Sequence, residues 1–303
     1  MSEPASNSFF HTVQNSILEC LEVLGEEIPG PMSLKELGTG KMLRSTLIQR
    51  LAEQNIAEFD HTVAKLACTA TELVHTASLC HDDIIDNATL RRGSPTVWKK
   101  AGVPGALLIG DLLLVESFRV IGKAQLPGMV TDFADKLKTL CAAEMNQELY
   151  RGTLADEQRW RSICSGKTGT LFAFPARWSC WKDEELSKGL ETSGMLLGCA
   201  YQMFDDILDI FGCESYSGKS LGTDEHRNKL TIPGPVSEQR KFVCSALRNT
   251  LDDAYNTLAA WPQARQAITM YIQQDMLPVF QKIVPELSWP NPSLHQSTAI
   301  FKV

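Results

Sequence analysis

Two short acidic motifs of the same form lie far apart in the chain, and they contain the residues best suited to chemistry. The first begins at Asp82 and the second at Asp205, and both read Asp-Asp-x-x-Asp within apolar runs. On an α-helix the outer aspartates of such a motif are i and i+4, so their carboxylates share one face and repel each other. Carboxylates in this arrangement predict binding of a hard divalent cation such as Mg²⁺, which is often shared with substrate phosphates.

Basic residues near these motifs suit the binding of phosphate. Arg91 and Arg92 follow the first motif after one more helical turn, and arginine binds phosphate oxygens bidentately. Two glycine-flanked basic clusters, 38–44 and 165–168, lack the glycine that a P-loop requires at its start, yet each can offer a cation. An ion-pair network on a solvated helix end, or ordinary surface charge, explains each cluster taken alone. The motifs together favour a site for a phosphate–metal complex.

The elements that must position these residues are helices. Apolar residues recur at helical spacing almost throughout, and alternating patterns typical of strands are absent. The longest irregular segment is 212–235, and a loop of that length is usually functional or disordered. No linker divides the chain, so residues 1–303 are predicted to form one all-α domain. The predicted helices are 9–24, 43–57, 62–86, 104–122, 128–151, 156–180, 184–212 and 236–260.

Composition limits the class of protein further. The net charge of −7 argues against a nucleic-acid partner. No secretory signal is visible at the start, and the most apolar stretch, 103–118, is too short for a membrane span and contains Asp111 and Glu116. Nine scattered cysteines indicate reduced core residues. We therefore expect a cytoplasmic protein without a transmembrane segment.

The motifs, in their order and spacing, resemble the trans-isoprenyl diphosphate synthases, which make farnesyl, geranylgeranyl and longer polyprenyl diphosphates. The resemblance runs from about residue 38 to about 233 and implies an isoprenoid-synthase helical bundle around a central cavity. Met42, Ser45, Tyr201 and Asn228 depart from the usual pattern. After Pro233 the chain is short, and one long helix is expected in place of several. The segments that carry the resemblance are 40–44, 75–93, 110–111, 167–168, 202–209, 218–224 and 229–233.

The resemblance implies a head-to-tail (1′–4) condensation of isopentenyl diphosphate with an allylic diphosphate to give an all-trans polyprenyl diphosphate. It implies three Mg²⁺ ions per site, for which Mn²⁺ can substitute. Metal ligands would come from both acidic motifs. Asp82 and Asp86 would hold metal on one side and Asp205 on the other, while Asp83, Asp206 and Asp209 would bind metal waters.

The same resemblance divides the polar residues between two diphosphates and a developing allylic cation. Thr168 and Gln202 would offer oxygen dipoles to the cation and, with Lys167, are the expected catalytic residues. His81 is expected to be structural, and Asp111 to join a buried helix network. The allylic diphosphate would be held by Arg91, Lys167, Lys219 and Lys229, and that of isopentenyl diphosphate by Lys41, Arg44, His75 and Arg92.

Product length and assembly are further expectations. Ala77 and Ser78 are small and lie about one helical turn before the first motif, so a product tunnel would stay open there beyond the length of farnesyl. The next barriers would be Val74 and, on the neighbouring helix, Leu114 or Phe118. The resemblance also implies a homodimer paired through the helix near Gly110, with loose membrane contact for product release.

Two alternatives remain open at this stage. A class I terpene cyclase shares the helical fold and the metal chemistry but needs no second diphosphate site. A non-catalytic subunit of a heteromeric synthase is the other, although such subunits often lose an aspartate motif and this chain keeps both. A purely structural helical protein is the least favoured reading.

Overall fold

Helices form nearly all the regular structure in the computed structural model, which describes residues 6–27, 34–37, 40–91, 93–150, 156–211 and 232–290. The predicted all-α class is confirmed. Within these ranges the α-helices are α1 (Ser6–Glu27), α2 (Leu43–Ala52), α3 (His61–Ile85), α4 (Val97–Gly122), α5 (Met129–Leu149), α6 (Glu157–Cys164), α7 (Thr170–Ser179), α8 (Glu184–Phe211), α9 (Val236–Asn256), α10 (Pro262–Met270) and α11 (Leu277–Phe280). A 3₁₀-helix covers Leu34–Leu37, and π-helical turns cover Ser165–Gly169 and Tyr271–Met276.

Helix α3 is central and carries the first acidic motif at its end. It packs along α4 and against α1, α2 and α7, so more than half of its side chains are buried. At its start the Asp60 carboxylate accepts hydrogen bonds from the N–H groups of Thr62 and Val63, at 3.2 and 3.1 Å. This is the usual capping of a helix N-terminus. The helix ends at Ile85, so Asp86 lies at the C-cap, where the packed core meets the site.

Helices α3 and α4 approach each other closely at Gly110. A Cβ atom there would overlap the His81 ring, so a larger residue would require that ring to move. His81 Nε2 lies 3.3 Å from the Leu107 carbonyl oxygen and 3.4 Å from Asp111 Oδ1. The structural role expected for His81 agrees with these contacts. Asp111, however, is 65% exposed, so the expected buried network around it is wrong.

Helices α7 and α8 pack together through a second close approach, next to the Ser165–Gly169 turn. A Cβ at Gly198 would lie 2.7 Å from Gly169 Cα and 2.9 Å from the Thr168 carbonyl oxygen. The helix predicted over 156–180 is therefore interrupted, because the π-helical turn separates α6 from α7. The turn carries Lys167 and Thr168, and glycine on both sides brings it against α8.

Two further differences from the predicted elements are small. Gly102 has φ 72° and ψ 169°, so α4 is kinked just before residue 104, where the helix was predicted to begin. After the kink α4 continues as a regular helix. Strands β1 (Leu90–Arg91) and β2 (Ser94–Pro95) pair antiparallel around Gly93, which has φ +77°. The expectation of no strand pairing is wrong at this one short hairpin, which positions Arg91.

The C-terminal part differs most from expectation. One long helix was expected after Pro233, but α9 is followed by α10, a π-helical turn and α11. Helix α9 packs on α8, whereas α10 and the π-helical turn pack on α2. Two contacts join this π-helical turn to α2. The Tyr271 hydroxyl donates to the Leu43 carbonyl at 3.0 Å, and Arg50 pairs with both oxygens of Asp275 at 2.8 and 3.1 Å.

Helix α4 is the one candidate membrane span among the described residues, judged by length and composition alone. Only 33% of its most apolar stretch is buried in the protein. A helix that packs in a soluble protein passes the same test, so the candidate carries no conclusion about a membrane. The absence of a transmembrane segment stays a prediction.

Candidate active site

The first acidic motif places its three carboxylates in different surroundings. Asp83 is buried, and its Oδ1 accepts hydrogen bonds from Arg91 Nε at 2.8 Å and Arg91 Nη2 at 2.7 Å. Asp82 and Asp86 are half-buried. Arg91 was expected to hold a diphosphate and Asp83 to bind metal waters. In this structure the two residues hold each other, and Arg91 also lines the cavity described below, so its expected role with a diphosphate stays a prediction.

The carboxyl of Asp82 has an electrostatic environment that a cation would relieve. Burial raises its pKa to about 7; the positive charge of Lys167 opposes this, while Glu144 and Asp86 add negative charge that raises it further. The described residues contain no ready-made group of three metal-ligating side chains. An open set of carboxylates with destabilised charge fits Mg²⁺, which usually takes one or two carboxylates together with substrate phosphates and water.

The second acidic motif is fixed by α6 and α8. Asp206 is buried, with Oδ2 accepting from Trp160 Nε1 at 2.7 Å and Oδ1 accepting from Gln202 Nε2 at 2.8 Å. Both oxygens of this carboxylate are therefore used within the protein, and its expected role with metal waters stays a prediction. Asp209 is buried and Asp205 is half-buried. The sequence analysis missed Trp160, which gives no sign of its partner 46 residues away.

Thr168 and Gln202, the residues expected to face the cation, are in direct contact. Thr168 Oγ1 donates to Gln202 Oε1 at 2.6 Å, and Gln202 in turn donates to Asp206. The three side chains form a continuous buried hydrogen-bonded chain from the π-helical turn to the second motif. These hydrogen bonds orient the Thr168 hydroxyl group, because its proton is donated to Gln202.

Lys167 lies between the two motifs. Its ammonium donates to Glu144 Oε2 at 3.0 Å and to Gln147 Oε1 at 3.2 Å. Its positive charge acts to lower the pKa of Asp82. The sequence analysis missed Glu144 and Gln147. Their i, i+3 spacing on α5 is the only local signal that they share a face. They hold the lysine beside the first motif.

A cavity of about 280 Å³ joins the predicted cation cluster to the second motif. Lys41, Arg44 and His75 were expected to converge, and all three line it. Arg44 extends over the Phe172 ring, 5.3 Å from its centroid, and its Nε is buried without a hydrogen-bond partner among the described residues. The other lining residues are Gly40, Met42, Leu43, Glu72, Arg91, Tyr201, Phe204, Asp205, Leu208, Val279, Lys282 and Ile283.

The cavity wall contains one acid that the sequence analysis did not use. Glu72 is 6% exposed and accepts a hydrogen bond from Ser45 Oγ at 3.1 Å. An acidic residue inside the apolar run of α3 was the available signal. Because Ser45 follows Arg44 directly, this hydrogen bond fixes the start of α2 against α3.

The residues expected to set product length lie elsewhere. Ala77 is buried, Ser78 Oγ donates to the His75 carbonyl at 2.9 Å, and Phe118 packs edge-on against Phe133 at 5.2 Å. Neither these residues nor Leu114 lines the 280 Å³ cavity or a second cavity of about 110 Å³ behind Arg91. The tunnel therefore stays a prediction. Arg92, Lys219 and Lys229 lie outside the described residues.

Comparison with known proteins identifies the family of this chain. The family model for polyprenyl synthetase matches residues 32–266, so the chain belongs to the polyprenyl synthetase family. Geranylgeranyl diphosphate synthase of Methanosarcina mazei is 31% identical over 207 residues. That match covers 64% of this chain and 62% of the relative, so the chain spans less than two thirds of that protein's length.

Two other similar proteins differ in their likeness to this chain. Nonaprenyl diphosphate synthase of Mycobacterium tuberculosis is 32% identical over 237 residues, covering 76% of this chain and 69% of its own length. A crystal structure of geranyltransferase from Helicobacter pylori, complexed with magnesium and isoprenyl diphosphate, has a TM-score of 0.70. It is 24% identical and covers 90% of this chain and 97% of its own, a likeness that shows the fold alone.

Proposed function

We propose that this protein is a prenyltransferase that condenses isopentenyl diphosphate with an allylic diphosphate, releases diphosphate and extends an all-trans polyprenyl chain. One observation carries the proposal. A single cavity has the second acidic motif at one part of its wall and Lys41, Arg44 and His75 at another. A cation-lined site beside a carboxylate-rich one suits two diphosphates, of which only one needs metal.

The carboxylates of Asp82, Asp86 and Asp205 are the residues that would hold Mg²⁺. When bound, the metal would act as a Lewis acid that stabilises charge on the departing diphosphate. The geranyltransferase structure that is complexed with magnesium and isoprenyl diphosphate supports the choice of a divalent cation. Three ions per site, and substitution by Mn²⁺, remain part of the proposal.

The protein's own side chains would do the rest. Lys167, held beside the first motif by Glu144 and Gln147, would grip the allylic diphosphate. Thr168 Oγ1, oriented by Gln202, would direct an oxygen dipole at the allylic carbon where positive charge develops, which is electrostatic stabilisation of the transition state. Lys41, Arg44 and His75 would hold isopentenyl diphosphate so that its double bond faces that carbon.

The relatives are named for products from farnesyl to nonaprenyl diphosphate. The small side chains of Ala77 and Ser78 support a product longer than farnesyl. The proposal includes a homodimer, which the exposed apolar side chains of α4 support: Leu107, Leu108 and Val115 are 44, 68 and 65% exposed. The proposal also includes a cytoplasmic location, with loose membrane contact for product release.

One assay tests the proposal against its alternatives. Purified protein is incubated with Mg²⁺, isopentenyl diphosphate and each allylic diphosphate in turn, and both released diphosphate and product length are measured. We expect diphosphate release that requires both substrates and products longer than farnesyl. Release from the allylic substrate alone would identify a terpene cyclase. No turnover at all would identify a non-catalytic subunit, a role to consider because one relative is heptaprenyl diphosphate synthase component 2.

A further inference from the structure

Helix α2 starts from a strained backbone conformation just before Arg44. Met42, at the N-cap, has φ 47° and ψ 42°, which is the left-handed region, and no side-chain hydrogen bond caps the helix there. A residue with a large side chain enters that region at a cost in free energy and stays there only when the surrounding structure holds it. The Met42 side chain is buried. Contacts around the first turn of α2 must therefore hold the segment that carries Arg44.

The first turn of α2 is held by contacts within itself and by a contact to α3. Within the turn, Thr46 Oγ1 and the Thr46 N–H both donate to the Met42 carbonyl oxygen, at 3.0 and 2.9 Å. Across to α3, the Ser45 hydroxyl donates to Glu72 Oε1 at 3.1 Å, and both residues are buried. Glu72 lines the 280 Å³ cavity. The Ser45 hydrogen bond therefore fixes the turn relative to the cavity wall.

Position 45 is also one of the departures of this chain from the family pattern, which usually has proline there. Proline fixes φ near −65° and is tolerated in the first turn of a helix. Serine does not restrict φ in that way, but its hydrogen bond to a buried side chain of another helix restricts the same piece of backbone. In this chain a contact between helices thus stands where the family pattern has a constraint within the backbone.

The side chain of Arg44 depends on the position of this turn. Its guanidinium lies over the Phe172 ring, 5.3 Å from the centroid, and its Nε is buried without a hydrogen-bond partner among the described residues. Arg44 and Phe172 both line the cavity. A shift of the turn would move the guanidinium relative to the ring and to any anion bound in the cavity.

We propose that Ser45 is a positioning residue, whose hydrogen bond to Glu72 holds the first turn of α2 so that Arg44 meets the diphosphate of isopentenyl diphosphate. Ser45 is not among the residues that line the cavity, so it acts through Arg44. This inference rests on the proposed function, because it assumes that the cavity takes isopentenyl diphosphate. Without the hydrogen bond the turn would sample other conformations, and the apparent dissociation constant rises as the inverse of the fraction that stays competent to bind.

The test compares Ser45→Ala with a matched control, Ser193→Ala. Ser193 is also fully buried, and its Oγ donates from α8 to the Ala254 carbonyl of α9 at 2.9 Å, but it does not line the cavity. Steady-state kinetics are measured with each substrate varied in turn. For Ser45→Ala we expect KM for isopentenyl diphosphate to rise about fivefold, the scale set by one net hydrogen bond. The value of kcat and the allylic KM should change less than about twofold.

Two further variants separate positioning from a loss of stability. Ser45→Pro replaces the hydrogen bond by a fixed φ and should bring KM for isopentenyl diphosphate back to within about twofold of the wild type. Glu72→Leu removes the acceptor and should raise the same KM. The double variant Ser45→Ala/Glu72→Leu should raise it no further than the larger single change, because both changes break one contact. Urea unfolding should show that Ser193→Ala is destabilised about as much as Ser45→Ala, with every KM unchanged.

Different outcomes separate the inference from the proposed function. If the wild type makes no condensation product, the proposed function and the inference both fail. If the wild type is active and Ser45→Ala has an unchanged KM for isopentenyl diphosphate, only the inference fails. It also fails if Ser45→Ala raises both KM values together, if Ser193→Ala gives the same profile, or if Ser45→Pro is as impaired as Ser45→Ala. Calorimetric titration of isopentenyl diphosphate without metal gives a second readout, in which Ser45→Ala should bind about fivefold more weakly.

Discussion

The two acidic motifs have the same sequence pattern, but the protein holds their middle aspartates in different ways. Asp83 is held by the charged guanidinium of Arg91, whereas Asp206 is held by two neutral donors, Trp160 and Gln202. In both motifs the middle residue is buried and engaged by the protein. The comparison teaches that equivalent positions of a repeated motif can differ in role. The middle carboxylate is held by the protein in both motifs, whereas of the outer ones Asp205 lines the 280 Å³ cavity and Asp209 is buried.

The largest expected effect on activity comes from removing the divalent metal that the outer carboxylates would bind. Removing divalent metal with excess EDTA should abolish condensation, because the charges of Asp82, Asp86 and Asp205 would then have no cation to join them to a diphosphate. Product formation is measured with and without added Mg²⁺, and activity should return when the metal is restored. Full turnover in EDTA would remove the basis for the metal site.

The next largest effect on activity is expected from replacing the outer aspartates themselves. Asp82→Ala and Asp205→Ala should each lower kcat by at least about a thousandfold, the scale of losing a major electrostatic element. Asp209→Ala should cost less, because Asp209 is expected to reach metal only through water. Asp111→Ala is the control, since this aspartate is exposed on α4 and lies outside the cavity. Near-normal turnover of either motif variant would show that its metal assignment is wrong.

The middle aspartates differ in the charge of their donors, so their loss should differ in salt dependence. Asp83→Asn should lower the free energy of unfolding by about 1–3 kcal/mol, less than for a fully buried pair because Arg91 is 30% exposed. Trp160→Phe should cost about 1–3 kcal/mol, because a buried carboxylate loses a hydrogen bond. Only the first loss should shrink at high ionic strength.

Urea unfolding at low and high salt measures both losses. Trp98→Phe is the matched control for the tryptophan, since Trp98 Nε1 donates at 2.7 Å to a neutral acceptor, the Ala88 carbonyl. It should cost only about 0.5–1.5 kcal/mol. Equal salt dependence of Asp83→Asn and Trp160→Phe would remove the distinction between the two motifs.

The smallest expected effect on rate is a change of product. Replacing Ala77 with Phe would fill the space below the first motif with a ring that packing cannot displace cheaply. We expect no corresponding product tunnel below the second motif. Initial condensation should continue at a comparable rate, because the ligands of metal and diphosphate are untouched, but the product should be shorter. Product sizing beside Ala77→Ser checks this, and an unchanged distribution would mean that the tunnel does not pass this face of α3.

The sequence predicted the parts of the site that depend on spacing within one element. The outer aspartates of each motif could be placed in this way, and the family resemblance supplied Lys41, Arg44 and His75 as neighbours. Contacts between distant elements could not be predicted. Trp160 meets Asp206 across 46 residues, and Lys282 lines the cavity although it follows the last family motif in the sequence. The π-helical turns were also missed, because they cover only 5 and 6 residues, too few to show a change of period in the apolar pattern.

The turn at Ser165–Gly169 has a consequence for insertions and deletions. A π-helical turn corresponds to one residue inserted into an α-helix, so the faces of α6 and α7 are out of phase by about 100°. Deleting a single residue there would restore a continuous helix and rotate α6 by that angle relative to α7. Trp160 would then face away from Asp206 while Phe172 kept its place in the cavity wall. The length of this segment is therefore as constrained as the identity of any residue in it.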